Sequence, residues 1–317
     1  MKIGTHSGTF HADDALAVYM LKLLPQFKDA KVVRSRDPAV LDECDIVVDV
    51  GGKYEPPKYF DHHQREFTTT FGANYTVTKL SSAGLVYKHF GREVLAAILG
   101  AKPTDQNVET IYPRIYTSFI EAVDGYDNGV APYAEKPKFE TYANTLRAVV
   151  SNLNPLWTES DTEQDFYNQF LKASDFMGQA FVAEVRNQGL SWYLARDAVK
   201  KAFEERKKYD EQGRILLFNN YVPWKGHIYE LEKEFGQEIT YVLYPAGDSY
   251  RVQAVSVDEG SFESRKPLPE PWRGLRDAEL SQACGVENGV FVHAAGFIGG
   301  NGTQEGAVAM AKLALDS

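Results

Sequence analysis

Apolar residues along this chain fall into short continuous runs that alternate with longer stretches at helical spacing. Residues 2–5 read as a strand that runs into a loop of Gly, Ser and Thr. Ala15, Leu16, Val18, Tyr19, Leu21 and Leu23 share a helical face, which predicts a helix over 12–24 closed by Pro25. Val32-Val33 marks a second strand at 30–34. Ile46-Val47-Val48 marks a third at 45–50, ended by Gly51-Gly52, and 59–61 is a shorter fourth. Apolar strands alternating with helices predict a buried parallel sheet. Ser81-Ser82-Ala83-Gly84 opens the next helix, and a helical stretch over 105–123 leads straight into Asp124.

Proline and glycine punctuate 125–155, which predicts loop and a domain boundary. Residues 162–208 then read as a long helical segment that Gly178 and Gly189 kink or split, ending in the charged run 204–208. Such a run reads as a solvated helix end. Apolar runs at 215–218, 239–244, 250–255 and 290–293 predict strands, and 302–315 predicts a final helix. The expected fold is α/β, with a mainly parallel sheet flanked by helices in an N-terminal domain over 1–155. A helical linker over 156–210 and a smaller α/β domain over 211–317 follow.

Composition narrows the class. The chain has 317 residues, 44% of them hydrophobic, enough apolar material for two cores. Its two cysteines, Cys44 and Cys284, are far apart. That excludes a cysteine zinc site and argues for a reducing compartment. No apolar run approaches the ~18 residues that span a membrane, so no membrane partner is expected. No secretory or transit segment is visible at the start, and the expected location is intracellular. Net charge is −10, which disfavours proteins that grip long duplexes by their phosphates. Any nucleic-acid contact is therefore expected to be local and short.

The candidate chemistry lies in the first part of the chain. Four of the seven histidines, His6, His11, His62 and His63, sit beside or near carboxylates there. His11 and Asp13 leave a strand–loop together. Asp49 ends an apolar strand, where open α/β sheets place ligands. Asp61-His62-His63 ends the next strand, and Asp124 follows a helix. Phosphodiester hydrolysis needs an attacking hydroxide and relief of phosphoryl charge, which two divalent metals supply. Oxygen and imidazole donors without thiolate suit Mn²⁺, Mg²⁺, Fe²⁺ or Zn²⁺, and imidazole tilts the choice to Mn²⁺.

The order His…His-x-Asp, Val-Asp-x-Gly, Asp-His-His and Val-Asp-x-x-Asp resembles the DHH phosphoesterase superfamily, which includes RecJ-type exonucleases, oligoribonucleases and family II pyrophosphatases. Residues 5–15, 60–65, 79–85 and 267–276 more specifically resemble the family named for melanocyte proliferating gene one. The resemblance implies two Mn²⁺-type ions. His6, His11 and Asp49 would hold one. Asp13, Asp49, His62 and Asp124 would hold the other, with Asp49 bridging. Asp61 would orient an imidazole and His63 would sit by the substrate phosphate. The second domain would supply substrate contacts across a cleft. Candidates there are the basic cluster Arg265, Lys266, Arg273 and Arg276, and the segment His293 to Asn301, where Gly299 and Gly300 lead toward a helix that can present backbone N–H groups to phosphate.

The implied activity is 3′→5′ exonucleolytic hydrolysis of RNA, in cytoplasm, nucleus or mitochondrion, on single strands or short oligonucleotides. Two readings compete: a small-molecule phosphohydrolase acting on pyrophosphate, a nucleotide or a dinucleotide, and a regulatory protein that keeps the fold without catalysis. The oligomeric state stays open.

Overall fold

The computed structural model describes residues 1–72, 74–158 and 162–317, and the chain divides into two compact units, Met1–Leu190 and Ser191–Ser317. In the first, β1 (Lys2–Thr5) leads to α1 (Ala12–Lys22), β2 (Lys31–Arg34), α2 (Pro38–Asp42), β3 (Ile46–Val48), β4 (Tyr54–Glu55) and β5 (Tyr59–Phe60). These strands form one sheet in the order β2-β1-β3-β5-β4, in which, among the described strands, β4 alone is antiparallel to its neighbour. The chain winds from β1 to β2 on one side and then to β3 on the other. A crevice for ligands opens at the carboxyl ends of strands where a sheet reverses its winding in this way.

Helices α3 (Ser82–Leu99), α4 (Gln106–Ile115), α5 (Glu121–Asp127), α6 (Leu146–Asn152) and α7 (Glu163–Asn187) complete this unit. α1 is buried on nearly every face, so beyond its acidic first turn it reads as apolar nearly all round. It packs against both α3 and α7, and Ser174 Oγ of α7 donates to the Ala15 carbonyl at 2.8 Å. The stretch expected as one helix over 105–123 is interrupted. Pro113 lies inside α4, and a five-residue π-helical turn, Tyr116–Ile120, joins α4 to α5.

The second unit contains α8 (Tyr193–Glu205), β6 (Ile215–Leu217), α9 (His227–Phe235), β7 (Tyr241–Ala246), β8 (Ser249–Ala254), α10 (Asp277–Cys284), β9 (Gly289–Val292), β10 (Ile298–Asn301) and α11 (Gln304–Asp316). Its sheet runs β6-β7-β8-β10-β9, with only β6 and β7 parallel among the described strands. Both units are therefore α/β, and the first sheet is mainly parallel.

The segment 156–210 is shared between the units. α7 runs through Gly178 and packs on α1, while α8 joins the core of Phe203, Leu216, Trp224 and Val242. The helix breaks at a π-helical turn, Gln188–Trp192, which contains Gly189. Positions 159–161 of the expected linker lie outside the described residues. No helix among the described residues is long and apolar enough to cross a membrane.

Candidate metal centre

Three strand ends of the first sheet build the site. His6 follows β1, and the loop that carries it is pinned at several points. Asn154 bonds both backbone groups of Phe10, at 3.0 Å and 3.1 Å, and Arg34 Nη2 donates to the Gly8 carbonyl at 2.7 Å. α1 starts at once afterwards. The His11 amide donates to Asp14 Oδ1 at 2.9 Å, and Asp13 and Asp14 occupy the first turn. Unpaired N–H groups there favour carboxylates.

Asp49 follows β3 with φ of 58°, a left-handed conformation that Asp and Asn tolerate better than most residues. It turns the chain out of the strand earlier than the expected 45–50 and aims the carboxylate sideways. Asp61, His62 and His63 follow β5.

These groups converge. His6 Nε2 lies 3.2 Å from Asp14 Oδ2 and 3.3 Å from Asp49 Oδ2. His62 Nε2 lies 3.4 Å from Asp49 Oδ1 and 3.0 Å from Asp127 Oδ2. Among the described residues, four sets have potential ligand atoms mutually within 4.8 Å: His6–His11–Asp49, Asp49–His62–His63, His11–Asp13–Asp127 and Asp13–Asp14–Asp49. Asp49 belongs to three of these four sets. Its Oδ1 also accepts from Ser82 Oγ at 3.0 Å.

The polar atoms at the centre fit a cation. Both Asp13 oxygens, Asp14 Oδ2, His6 Nε2 and His62 Nε2 are buried, and among the described residues none makes a hydrogen bond of good geometry. Buried polar atoms without partners are rare and demand an explanation. The charges point the same way. Burial, with Asp49, Asp127 and Asp14 around it, pushes the Asp13 carboxyl well above its usual range. Burial pulls the His6 and His62 imidazoles down, yet the carboxylates facing them outweigh it and lift each to about 10. Asp49 is opposed by its own burial but is held low by His6 and His62. The cluster thus gathers positive charge, and a divalent cation satisfies it with oxygen and neutral imidazole donors.

A direct consequence concerns stability. Mn²⁺ at about a hundredfold above its Kd is expected to stabilise the protein by about 2.7 kcal/mol relative to EDTA. The corresponding shift in Tm is roughly 5–10 °C for a unit of this size. Scanning calorimetry reads it directly; coincident transitions with Mn²⁺ and with EDTA would mean that these donors hold no cation.

Asp61 and His63 form a pair at the rim. Asp61 Oδ1 accepts from His63 Nδ1 at 2.7 Å, and its Oδ2 accepts from the Gly52 amide at 2.6 Å. Burial acts against the ionised Asp61, but the bonds from His63 and Gly52 keep it below the usual carboxylate range. The His63 side chain stays 61% exposed, and its hydrogen bond to Asp61 raises its pKa.

Two cavities meet at the cluster. One of about 770 Å³ is lined by His11, Asp13, Asp49, His62, His63 and Asp127, together with Phe10, Phe119, Tyr126, Tyr142 and Arg147. The other, about 270 Å³, is lined by His6, His11, Arg36, Asp49, Gly51, Gly52, Asp61 and His63.

Asp124, expected among the ligands, stands apart from these sets. Its Oδ1 accepts from the Ser81 amide at 2.9 Å, Ser81 Oγ at 2.7 Å and the Gly84 amide at 3.1 Å, and its Oδ2 accepts from Tyr116 Oη at 3.1 Å. It caps the start of α3. A Cβ at position 84 would lie 2.3 Å from its Oδ2, so only glycine fits there. Burial raises the Asp124 carboxyl to about 7 against those bonds. Asp127, one turn further along α5, reaches His62 instead. The expected motif contained Asp127, but spacing alone did not favour it over Asp124. Arg36 and Arg147 carried no sequence signal at all.

The substrate candidates of the second unit are engaged within that unit. Arg265 pairs with Glu232, with Nη2 to Oε2 at 3.0 Å, and bonds the Ile239 carbonyl at 2.8 Å. Lys266 Nζ donates to the Leu315 carbonyl at 2.7 Å. Arg273 Nε donates to the Leu268 carbonyl at 2.9 Å, and the Arg276 guanidinium lies 5.8 Å from the Phe291 ring centre. His293 Nδ1 accepts from the Ala295 amide at 3.1 Å. Gly299 and Gly300, expected in a loop before a helix, are strand residues of β10. Side chains there would meet Leu268 Cδ1 at 2.8 Å and the Tyr250 carbonyl at 3.1 Å, so these glycines let neighbouring chain segments pack closely.

Comparison with known proteins adds the family. The MYG1_exonuc profile, described as an uncharacterised protein family (UPF0160), matches residues 2–315. The MYG1 protein of Schizosaccharomyces pombe is 52% identical over 326 residues, covering 100% of this chain and 98% of that one. The protein named MYG1 exonuclease in Rattus norvegicus is 47% identical over 323 residues, covering 99% of this chain and 84% of its own. Among solved structures, RecJ of Thermus thermophilus in complex with Mn²⁺ aligns at 14% identity with a TM-score of 0.26, covering 99% of this chain. The alignment spans about half of that RecJ chain, 52%. With a profile match along nearly its whole length and relatives near half identity over all of it, this chain belongs to the MYG1 family.

Proposed function

We propose that this protein is a divalent-metal-dependent phosphodiesterase that acts as a 3′→5′ exonuclease on single-stranded RNA, with two Mn²⁺-type ions. The observation that carries the reading is the sharing of Asp49 among three overlapping ligand sets, the arrangement that a bridged ion pair requires. His6, His11, Asp14 and Asp49 would hold one ion, and Asp13, Asp49, His62 and Asp127 the other. Cations held there supply Lewis acidity toward a phosphoryl group and lower the pKa of water.

The chain's own groups do the rest. Asp61 takes the Nδ1 proton of His63 in a hydrogen bond and leaves Nε2 as the ring atom available to a phosphoryl oxygen. Ser82 fixes one Asp49 oxygen, so the shared carboxylate needs little reorganisation. Phe119, Tyr126 and Tyr142 line the larger cavity, and bases of single strands stack on such rings. Its volume, about 770 Å³, falls within the ~300–1,000 Å³ of ordinary ligand sites, which suits a chain end better than an internal segment. The name exonuclease on the rat relative supports the activity. RNA as substrate and the 3′→5′ direction rest on the family resemblance.

The test is a time course with 5′-labelled single-stranded RNA and Mn²⁺. The expected result is a ladder shortened from the 3′ end, with mononucleotides as the released product. Turnover of pyrophosphate or dinucleotides alone would replace this reading by that of a small-molecule phosphohydrolase.

A further inference from the structure

Arg147 is the arginine of the larger cavity among the described residues, and unlike Arg265, Lys266 and Arg273 it has no hydrogen-bond partner there. Its guanidinium lies 5.6 Å from the Tyr126 ring centre and 5.7 Å from that of Tyr142. Among the described residues it makes no hydrogen bond and no ion pair, whereas Arg265, Arg214, Arg196 and Arg92 are each matched to a carboxylate. Tyr126 precedes Asp127 on α5, so the ring that holds Arg147 and the carboxylate that meets His62 are neighbours. One cavity thus presents a carboxylate–imidazole cluster and, among the rings, a planar cation whose five donors have no acceptor among the described residues.

We propose that Arg147 is a specificity-determining residue that grips the phosphate of a nucleotide whose base lies against Tyr126 and Tyr142. The inference rests on the phosphodiesterase reading and adds a residue and a ligand class to it. The two rings hold the guanidinium in place, so less side-chain freedom is lost when an anion arrives. A guanidinium pairs with phosphate through two parallel hydrogen bonds, which lysine cannot reproduce. A nucleoside monophosphate presents both features that this pocket matches, a flat ring and a dianion.

Calorimetric titration of the Mn²⁺-loaded protein with adenosine 5′-monophosphate and with adenosine tests this. Arg147→Ala is expected to weaken nucleotide binding on the order of ten- to a hundredfold, the loss of hydrogen bonds to a charged group. Adenosine should lose much less, and Arg147→Lys should restore only part of the nucleotide affinity. Arg147 is exposed, so Arg147→Ala should fold as wild type does, which thermal melts check. Unchanged nucleotide affinity in Arg147→Ala, equal losses for nucleotide and nucleoside, or no binding of the nucleotide to wild type would each overturn the proposal. Failure of the exonuclease reading would show separately, as absence of 3′ products from the wild-type protein whatever Arg147 does to nucleotide affinity.

Discussion

Asp49→Asn is expected to lower turnover by at least about a thousandfold, because it takes the negative charge from the one carboxylate common to three ligand sets. Asparagine is the informative replacement. It tolerates the left-handed backbone at φ of 58° as aspartate does, whereas alanine would add strain of about 1–2 kcal/mol. It also keeps the acceptor for Ser82 Oγ, so the start of α3 should stay in place. The amide nitrogen would face His6 or His62 in place of a charged oxygen, and bound metal should fall below the wild-type stoichiometry. Metal analysis and single-turnover rates on the same preparation measure both effects. Turnover within about tenfold of wild type, with full metal content, would show that Asp49 bridges nothing.

The second expectation separates two aspartates three residues apart. Asp127→Asn should reduce metal affinity about 10–100-fold or more, since it removes a carboxylate whose side chain is 19% exposed and lies 3.0 Å from His62 Nε2. Asp124→Asn should leave metal affinity and turnover within about threefold of wild type, the ordinary consequence of a change outside the donor set. An asparagine oxygen can still accept from Ser81 and Gly84, and its amide can donate to the Tyr116 hydroxyl.

The difference at Asp124 should appear in stability against pH. Burial raises its carboxyl to about 7, from an unfolded value of 3.8. Below pH 4 both states hold the proton. Between about pH 4 and pH 7 the folded protein keeps a proton that the unfolded chain has released, so raising pH costs stability; above pH 7 the loss is complete. Asp124→Asn should remove that slope, and the variant should gain on wild type as pH rises from 5 to 8. Denaturant melts at several pH values measure it. The assignment fails if Asp124→Asn loses metal and Asp127→Asn does not.

Why spacing alone did not choose between the two aspartates is a matter of helix phase. Residues three apart on an α-helix point about 60° from each other, so either aspartate of Val123–Asp127 could face the sheet. The π-helical turn Tyr116–Ile120 adds one residue just before them and rotates everything that follows. Nothing in the apolar pattern of 105–123 announces that extra residue. The groups at strand ends were easier to place. Asp49, Asp61, His62 and His63 sit immediately after apolar runs, and a parallel sheet brings the carboxyl ends of its strands to one edge whatever the details of packing. The basic cluster met a different limit. Charge in a sequence carries no information about pairing, and Glu232, which engages Arg265, lies 33 residues away. Arg147 went unnoticed on the same ground, since its place beside Tyr126 is a tertiary contact.

The main strands of the first sheet, the α/β class of both units, the donor types and the family were written in the amino-acid order, because each depends on local periodicity or on contiguous motifs. Folding in three dimensions settled what depends on distance across the chain. It set the left-handed turn at Asp49, brought Asp127 rather than Asp124 to His62, placed Gly299 and Gly300 in a strand, and left Arg147 without a carboxylate partner among the described residues. Those outcomes turn on which side chains come within about 3–4 Å of one another, and sequence separation does not encode that distance.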